Sequence, residues 1–321
     1  SATTHACLFA TKHRQATELL MELMEDTGLV SYVGKVNMDI DAPADLCEPS
    51  SDFAGFDTFG WVNNTINKYR NTKPILTPRF IPTCSKDLLE QLQDIQIAYG
   101  LCVQSHLSEN PGEINHVKKM YPDIDYYAQA YDKYGLFGIN KENQKYNTIM
   151  AHCVYSSDQE IQKLKENQVF VAHCPSSNTN LSSGIAPIRK YLNEGLLVGL
   201  GSDVAGGHSE SILETICDTV QVSKLYWRLI DHNYKEKINN KKVIEVESMV
   251  NELIDHNYKA LSFKEAFYLG TKGGGRFFGN VGSFEPGFDF SCVVLDDSSL
   301  KHPFDLTIEQ RIERACYSSL D

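Results

Sequence analysis

Three histidines in this 321-residue chain share a setting: each closes a short apolar run. His106 ends LCVQSH, His152 ends NTIMAH and His173 ends VFVAH, while Asp203 ends a fourth run, LLVGLGSD. Neutral imidazole and carboxylate are the ligands that Zn²⁺ and Fe²⁺ accept, and a catalytic ion keeps one position open for water. One such His is weak evidence, because a hydrogen-bonded core His looks the same. Three at the same end of successive strands, with an acid on the next, point to a metal-assisted hydrolytic site. Such chemistry needs a proton carrier, and Glu109 lies three residues past His106, beyond the strand end. His208, after GSDVAGG, is a candidate pocket residue; His13, His116, His232, His256 and His302 stand in polar contexts and carry no site expectation.

Other chemistries are disfavoured. Ser105, Ser176, Ser177 and Cys174 sit in no GxSxG elbow, and a metal-activated water removes the need for a covalent step. GLGSD and KGGGRFFG have neither the GxGxxG nor the GxxxxGK[ST] spacing of a phosphate cradle.

The elements that must hold these residues form a rhythm. Short β-branched runs occur at Ala6 to Ala10, Tyr32 to Val36, Pro74 to Leu76, Leu101 to Val103, Thr148 to Met150, Val169 to Val171 and Leu196 to Leu200. Helical patterns lie between them: 16–28 with Gly28 as its stop, 86–100 ending at Gly100, 158–168 and 186–195. Alternating strand and helix predicts a parallel sheet covered by helices. An open doubly wound sheet and a closed eight-unit barrel both accommodate seven units. The barrel is favoured because nearly every run ends in reactive groups (VNMD, TPRF, SHLSE, AHCVY, AHCPSSN, GSDVAGG), and barrels build their sites from the carboxyl ends of many strands. Further on, 209–229 reads as a long helix, 235–248 as a charged loop, 262–279 as a helix with a glycine-rich end and 281–296 as a turn and strand outside the barrel rhythm.

Composition narrows the partners. The formal net charge of −12 argues against a nucleic-acid duplex or an anionic membrane. No apolar run is long enough to span a bilayer, and SATTHACLFA lacks the features of a signal peptide. Nine cysteines, none in CxxC, are expected as reduced core thiols of a cytoplasmic protein.

TPRF (77–80), QSHLSEN (104–110), MAHCVY (150–155), AHCPSSNTNLSSG (172–184) and GLGSDVAGGHS (199–209) together resemble the amidohydrolase superfamily, and within it the branch that deaminates guanine. The resemblance covers essentially the whole chain. It implies a (β/α)8 TIM-type barrel over residues 1–280 and a β-sandwich remnant over 281–321. It implies one divalent ion, zinc in the first place with iron as the alternative, held by His106, Asp203 and His152. His152 is left with two roles, ligand or orienting group. Catalysis falls to Glu109, Asp203 and His152, and substrate contact to Arg79, Phe80, His106, Glu109 and Asp203. Arg79 would donate to the purine carbonyl and Phe80 would pack on the base. Adenosine-like or triazine substrates, or an inert scaffold, are the alternatives. A homodimer is implied by resemblance alone. The superfamily's first strand carries an HxH pair of ligands; this sequence contains no HxH, and THACLFATKH resembles the second strand. The expectation is therefore a barrel lacking its first strand here, in a sequence truncated at both ends.

Overall fold

The computed structural model describes residues 2–138, 146–239, 259–301 and 304–318. By contacts the chain divides into two units, residues 3–172 and residues 173–321 with 1–2. That division falls elsewhere than the 280/281 boundary expected from the sequence.

In unit 3–172 the expected strands form, all in parallel. β1 (His5–Phe9) pairs β2 (Val30–Gly34), which pairs β4 (Thr72–Pro74). β3 (Val36–Asn37) pairs β5 (Thr77–Pro78), so the single run at 32–36 and the one at 74–76 each continue as a second short strand. β6 (Val103–Leu107) pairs β7 (Thr148–His152), which pairs β8 (Phe170–His173). The β6–β7 register sets Leu107 opposite His152, so the histidine ends of both strands fall at one edge. The break between β2 and β3 is fixed by crowding: a Cβ at Gly34 would lie 1.8 Å from Thr77 Oγ1 and 2.7 Å from Gln104 Nε2. Only glycine admits that approach.

Helices follow the strands. α1 (Arg14–Thr27) ends at Gly28 and α3 (Lys86–Tyr99) at Gly100, as expected. α3 starts at Ser85, whose hydroxyl accepts from Leu88 N–H, the standard N-terminal cap. α6 (Asp158–Glu166) starts likewise at Ser157. Three further helices are not among those expected from the sequence: α2 (Ser51–Thr65), α4 (Pro111–Met120) and α5 (Ala128–Asp132). α2 buries Ala54, Trp61 and Val62, yet exposes Phe53, Phe56 and Phe59 on its other side, so its sequence lacks the polar contrast that marks an amphipathic helix. Met21, Val33, Trp61, Ile75, Leu88, Leu89, Leu92 and Val103 are fully buried between strands and helices.

Unit 173–321 contains β9 (Leu197–Leu200), α7 (Pro175–Asn180), α8 (Ile188–Glu194), α9 (Ile212–Asn239), α10 (Phe263–Tyr268) and α11 (Ile308–Tyr317). Its core gathers Leu213, Ile216, Cys217 and Val220 of α9 with Ala266 and Cys316. α10 opens on a reciprocal cap between Ser262 and Glu265 and runs into a π-turn at Leu269–Gly273. The glycine-rich segment there serves packing: a Cβ at Gly199 would stand 2.8 Å from Gly274 Cα.

Two expectations need correction. The charged segment 235–248 is helical through 239, because α9 extends three turns beyond its apolar stripe; 240–248 lie outside the described residues. Residues 281–296 contain a turn but no strand, and among the described residues none pairs with them as one. Phe284, Phe290 and Val294 are exposed at 75%, 83% and 90%.

Arg189 ties unit 173–321 together. It donates to both carboxylate oxygens of Glu265 at 2.7 and 2.8 Å, and to the carbonyls of Lys259 and Ala260. The hydrogen bond from Arg189 leads the effects that hold Glu265 down at about 2. A depressed carboxylate contributes stability above its unfolded value and loses it as pH falls toward the folded one. Glu265→Gln is therefore expected to lower the denaturation midpoint at pH 7 and to converge with the parent near pH 2. The effect is modest, since the carboxylate is 36% exposed and solvent screens it. Urea titrations at both pH values check it; an equal gap at both would rule out the ion pair as its source.

Candidate active site at the ends of β5, β6 and β7

His106 stands on β6 with its Nδ1 2.5 Å from the Arg79 carbonyl. A carbonyl oxygen can only accept, so Nδ1 carries the proton and the neutral ring has its lone pair on Nε2. That tautomer is the one a metal-ligating His has when a backbone carbonyl orients it. The ring stacks on His152 at 5.3 Å between centroids and 16° between planes. Phe9 at 5.0 Å and Phe80 at 6.4 Å close two more sides.

Glu109 lies beside this pair, its Oε2 3.8 Å from His152 Nε2, with side-chain exposures of 17% and 2% respectively. That separation is longer than a hydrogen bond and leaves the carboxylate oriented toward the ring edge. Arg79 holds its guanidinium carbon 5.1 Å from the centre of the Phe80 ring, within cation–π range. Arg79 N–H donates to the Asn37 carbonyl at 3.0 Å, which continues the β3–β5 pairing and fixes the residue at the strand end.

The structure thus brings five sequence-predicted residues together: Arg79, Phe80, His106, Glu109 and His152. Asp203 belongs to the other unit, in the turn after β9, where its carbonyl accepts from Gly207 N–H at 2.6 Å. A Cβ on Gly206 would lie 2.7 Å from Ser177 Oγ and 3.0 Å from Asp203 Oδ2, so glycine is needed for the turn to close over the acid. His208 is exposed, with Nδ1 2.7 Å from Ser176 Oγ. His173 is buried and lines a small crevice with Arg189, Thr219, Ser223, Tyr226 and Trp227. Among the described residues, no three His, Cys, Asp or Glu side chains form a group able to hold a metal ion.

Backbone strain concentrates here. Ser108, His152 and Cys153 have φ of 48°, 73° and 47°, a region that side chains other than glycine's seldom occupy. Cross-links between loops sustain it: Cys153 N–H donates to the Leu107 carbonyl and Tyr155 N–H to that of Ser108, both at 2.9 Å. Ser105, a nucleophile only in appearance, is committed to structure. Its hydroxyl donates to the Pro78 carbonyl at 2.6 Å and faces Tyr131 Oη at 2.7 Å. Tyr131 in turn donates to the His106 carbonyl at 2.8 Å.

Sequence reasoning missed Phe9, Tyr131, Glu113 and Glu160. Phe9 and Tyr131 carry no local signal. The two glutamates do: Asn110-Pro-Gly-Glu113 and Ser157-Asp-Gln-Glu160 have the spacing of helix-start capping boxes. Burial raises the carboxyl pKa of both. The nine cysteines are free thiols; burial pushes Cys84 up to about 12 and Cys102 up to about 11, leaving both unreactive at neutral pH. Among the described residues no helix is long and apolar enough to cross a membrane.

The sequence profile of the amidohydrolase family matches residues 1–315. Guanine deaminase of Dictyostelium discoideum is 36% identical over 94% of this chain, and that of Rattus norvegicus 35% identical over 95%. The chain spans 61% of the length of each of these relatives. The crystal structure of a guanine deaminase from C. acetobutylicum with bound guanine in its active site superposes with a TM-score of 0.84 at 42% identity, covering 98% of this chain and 68% of that one. With its parallel strands and alternating helices, the fold class is the expected α/β barrel of TIM type.

Proposed function

The chain belongs to the amidohydrolase family, and on that premise we propose that it takes part in hydrolytic deamination of guanine to xanthine and ammonia. The observation that carries the reading is the convergence of Arg79, Phe80, His106, Glu109 and His152 at one end of the parallel strands. The same residues stand in the blocks TPRF, QSHLSEN and MAHCVY, and relatives similar over nearly the whole chain are guanine deaminases.

The family is metal-dependent. The imidazoles here suit a divalent ion, His106 in the Nε2-basic tautomer and His152 stacked on it, and the sequence resemblance adds Asp203 as the carboxylate. Two imidazoles alone make a weak site, and further ligands are required for a tight one. Nitrogen and oxygen donors of this kind favour zinc, with iron(II) the next choice. When bound, the ion supplies the Lewis acidity that makes a nucleophile of water at neutral pH.

The chain's own residues supply the remainder. Arg79 donates to the purine carbonyl oxygen, and Phe80 packs on the flat base. Glu109, entering as the acid, gives its proton to the ring nitrogen next to the carbon that carries the amine. That proton relieves the charge that builds there as the hydroxyl oxygen adds. Asp203 takes one proton from water and His152 orients the attacking oxygen; Glu109, now a carboxylate, recovers that proton by way of Asp203 and passes it to the departing amine, and the remaining proton of the added hydroxyl returns to Glu109 as the carbonyl forms. Water is consumed, the C–N bond breaks, and ammonia leaves with the third hydrogen. The same division between an ion for the nucleophile and a non-ligand Glu for protons occurs in base deaminases of other folds.

We assign residues 1–280 to the barrel and 281–321 to a sandwich segment, which the exposed Phe284, Phe290 and Val294 support. Free thiols support a cytoplasmic setting, and a homodimer follows from the family resemblance.

Ammonia release from a panel of guanine, adenine, adenosine and a triazine tests the substrate. Turnover of guanine alone or foremost is expected; turnover of another amine with none of guanine would overturn the reading. Element-specific metal analysis on the same preparation decides between zinc and iron. Arg79→Lys keeps the charge but loses the planar donor pair, and is expected to raise KM for guanine about tenfold, the scale of one charge-assisted hydrogen bond. An unchanged KM would remove Arg79 from substrate contact.

A further inference from the structure

We propose that Glu113 and Glu160 are positioning residues, two buried carboxylates that hold the Glu109 backbone N–H and the hydroxyl of the preceding Ser108 and so keep the Glu109 side chain against His152. Each sits at the third position of its helix, with an N-cap partner already in place. Asn110 Oδ1 accepts from Glu113 N–H at 3.0 Å, and Ser157 Oγ accepts from Glu160 N–H at 3.2 Å. In an ordinary capping box such a carboxylate turns back onto its own N-cap amide. Neither does so here.

Glu113 Oε2 accepts from the backbone N–H of Glu109 at 3.0 Å, one residue before the cap. Glu160 Oε2 accepts from the hydroxyl of Ser108 at 2.7 Å, while its Oε1 accepts from Ala128 N–H at 2.8 Å. The two acids are 7% and 1% exposed, so their alternative partners in water are gone. Between them they grip Ser108 and Glu109 from α4 and α6. They also hold the left-handed backbone of Ser108, at φ 48°, which would otherwise relax. The Tyr155-to-Ser108 backbone bond, at 2.9 Å, ties the same point to the loop that carries His152. Glu109 thereby enters the site with its own N–H and the preceding residue fixed, and the 3.8 Å approach of its carboxylate to His152 follows from that restraint.

The catalytic consequence rests on the reading of Glu109 as the proton carrier; the clamp does not. The test therefore has two arms on the full chain. Amide hydrogen exchange reads the Glu109 N–H directly, and steady-state deamination of guanine reads its effect. Glu113→Ala is expected to speed exchange at Glu109 about tenfold, as loss of a buried acceptor does. It is expected to lower kcat about tenfold with KM within about twofold, since a misplaced group costs rate without costing binding. Glu113→Gln keeps an acceptor oxygen at the same reach and is expected to restore both to within about threefold of the parent. Glu113→Asp, one methylene short, is expected to resemble the alanine variant, and it decides the matter if the latter does not fold. Glu160→Gln, which keeps an acceptor for Ser108, is expected to stay near the parent, and Glu160→Ala to lose rate.

Unchanged exchange at Glu109 in both Glu113→Ala and Glu113→Asp would overturn the clamp. So would a rise in KM that accounts for the whole loss, or a glutamine variant no better than alanine. A parent that exchanges slowly at Glu109 yet releases no ammonia from guanine would sink the proposed reaction and leave the clamp standing.

Discussion

Glu109→Gln is expected to cut guanine turnover by about a hundredfold or more, the usual scale for removing a general acid/base. Metal content and the affinity for xanthine, the product, are expected to stay within about twofold, because the proposed mechanism has Glu109 move protons from outside the ligand set. The substitution isolates that function. Glutamine keeps the size of the side chain and a hydrogen-bonding oxygen, and the Glu109 backbone N–H that Glu113 holds is untouched. What disappears is a group that can release and regain a proton 3.8 Å from His152. Chemistry is lost in the transition state and binding in the ground state is kept, so kcat and kcat/KM should fall together. Near-normal turnover with guanine would take Glu109 out of the mechanism. Loss of metal along with activity would instead make it a ligand.

Much of this site was legible because strand ends are local features. His106 and His152 each follow four or five residues of unbroken strand pattern, and parallel pairing in register must bring such ends to one edge. The seven strand positions were readable for the same reason. Elements that carry no contrast were hidden. α2 is apolar on both faces, with Trp61 inside and Phe56 77% exposed outside, so periodicity had nothing to detect. The strand expected near 290–296 illustrates the opposite error. Val293, Val294 and Leu295 have strand-forming side chains, but among the described residues no strand pairs with them, and propensity alone forms no ladder; Val294 is 90% exposed. The left-handed conformations at Ser108 and His152 were also beyond the sequence. They arise from bonds between loops that are distant along the chain, such as Cys153 N–H to Leu107. Glu113 and Glu160 fall between these cases: their helix-start spacing is visible, and the diversion of their carboxylates is tertiary.

Lys35→Met is expected to destabilise the protein by about 3–5 kcal/mol, the cost of leaving one member of a buried ion pair alone. Lys35 is fully buried at the break between β2 and β3, with Nζ 2.6 Å from Glu48 Oε1 and 3.5 Å from Asp57 Oδ2. Glu48 is 4% exposed, and its second oxygen accepts from Met38 N–H at 3.0 Å and from Asn37 Nδ2 at 3.3 Å. A methionine fills the space of the lysine stem but leaves the carboxylate charged in an apolar setting. The double variant Lys35→Met/Glu48→Gln removes that charge and keeps an acceptor for Met38 N–H, so it is expected to recover most of the loss. Guanidinium titrations of the parent and the two variants measure both terms. A single variant as stable as the parent, or a double variant no better than the single, would contradict the account. The consequence reaches the site through Asn37. Its carbonyl holds Arg79 N–H at 3.0 Å, and its amide donates to Thr58 Oγ1 at 2.7 Å within the same buried network. Loosening that network shifts Arg79 relative to Phe80 and to the His106 ring that its carbonyl orients. The single variant should therefore bind guanine more weakly even at temperatures where it remains folded, and the double variant should regain affinity as it regains stability.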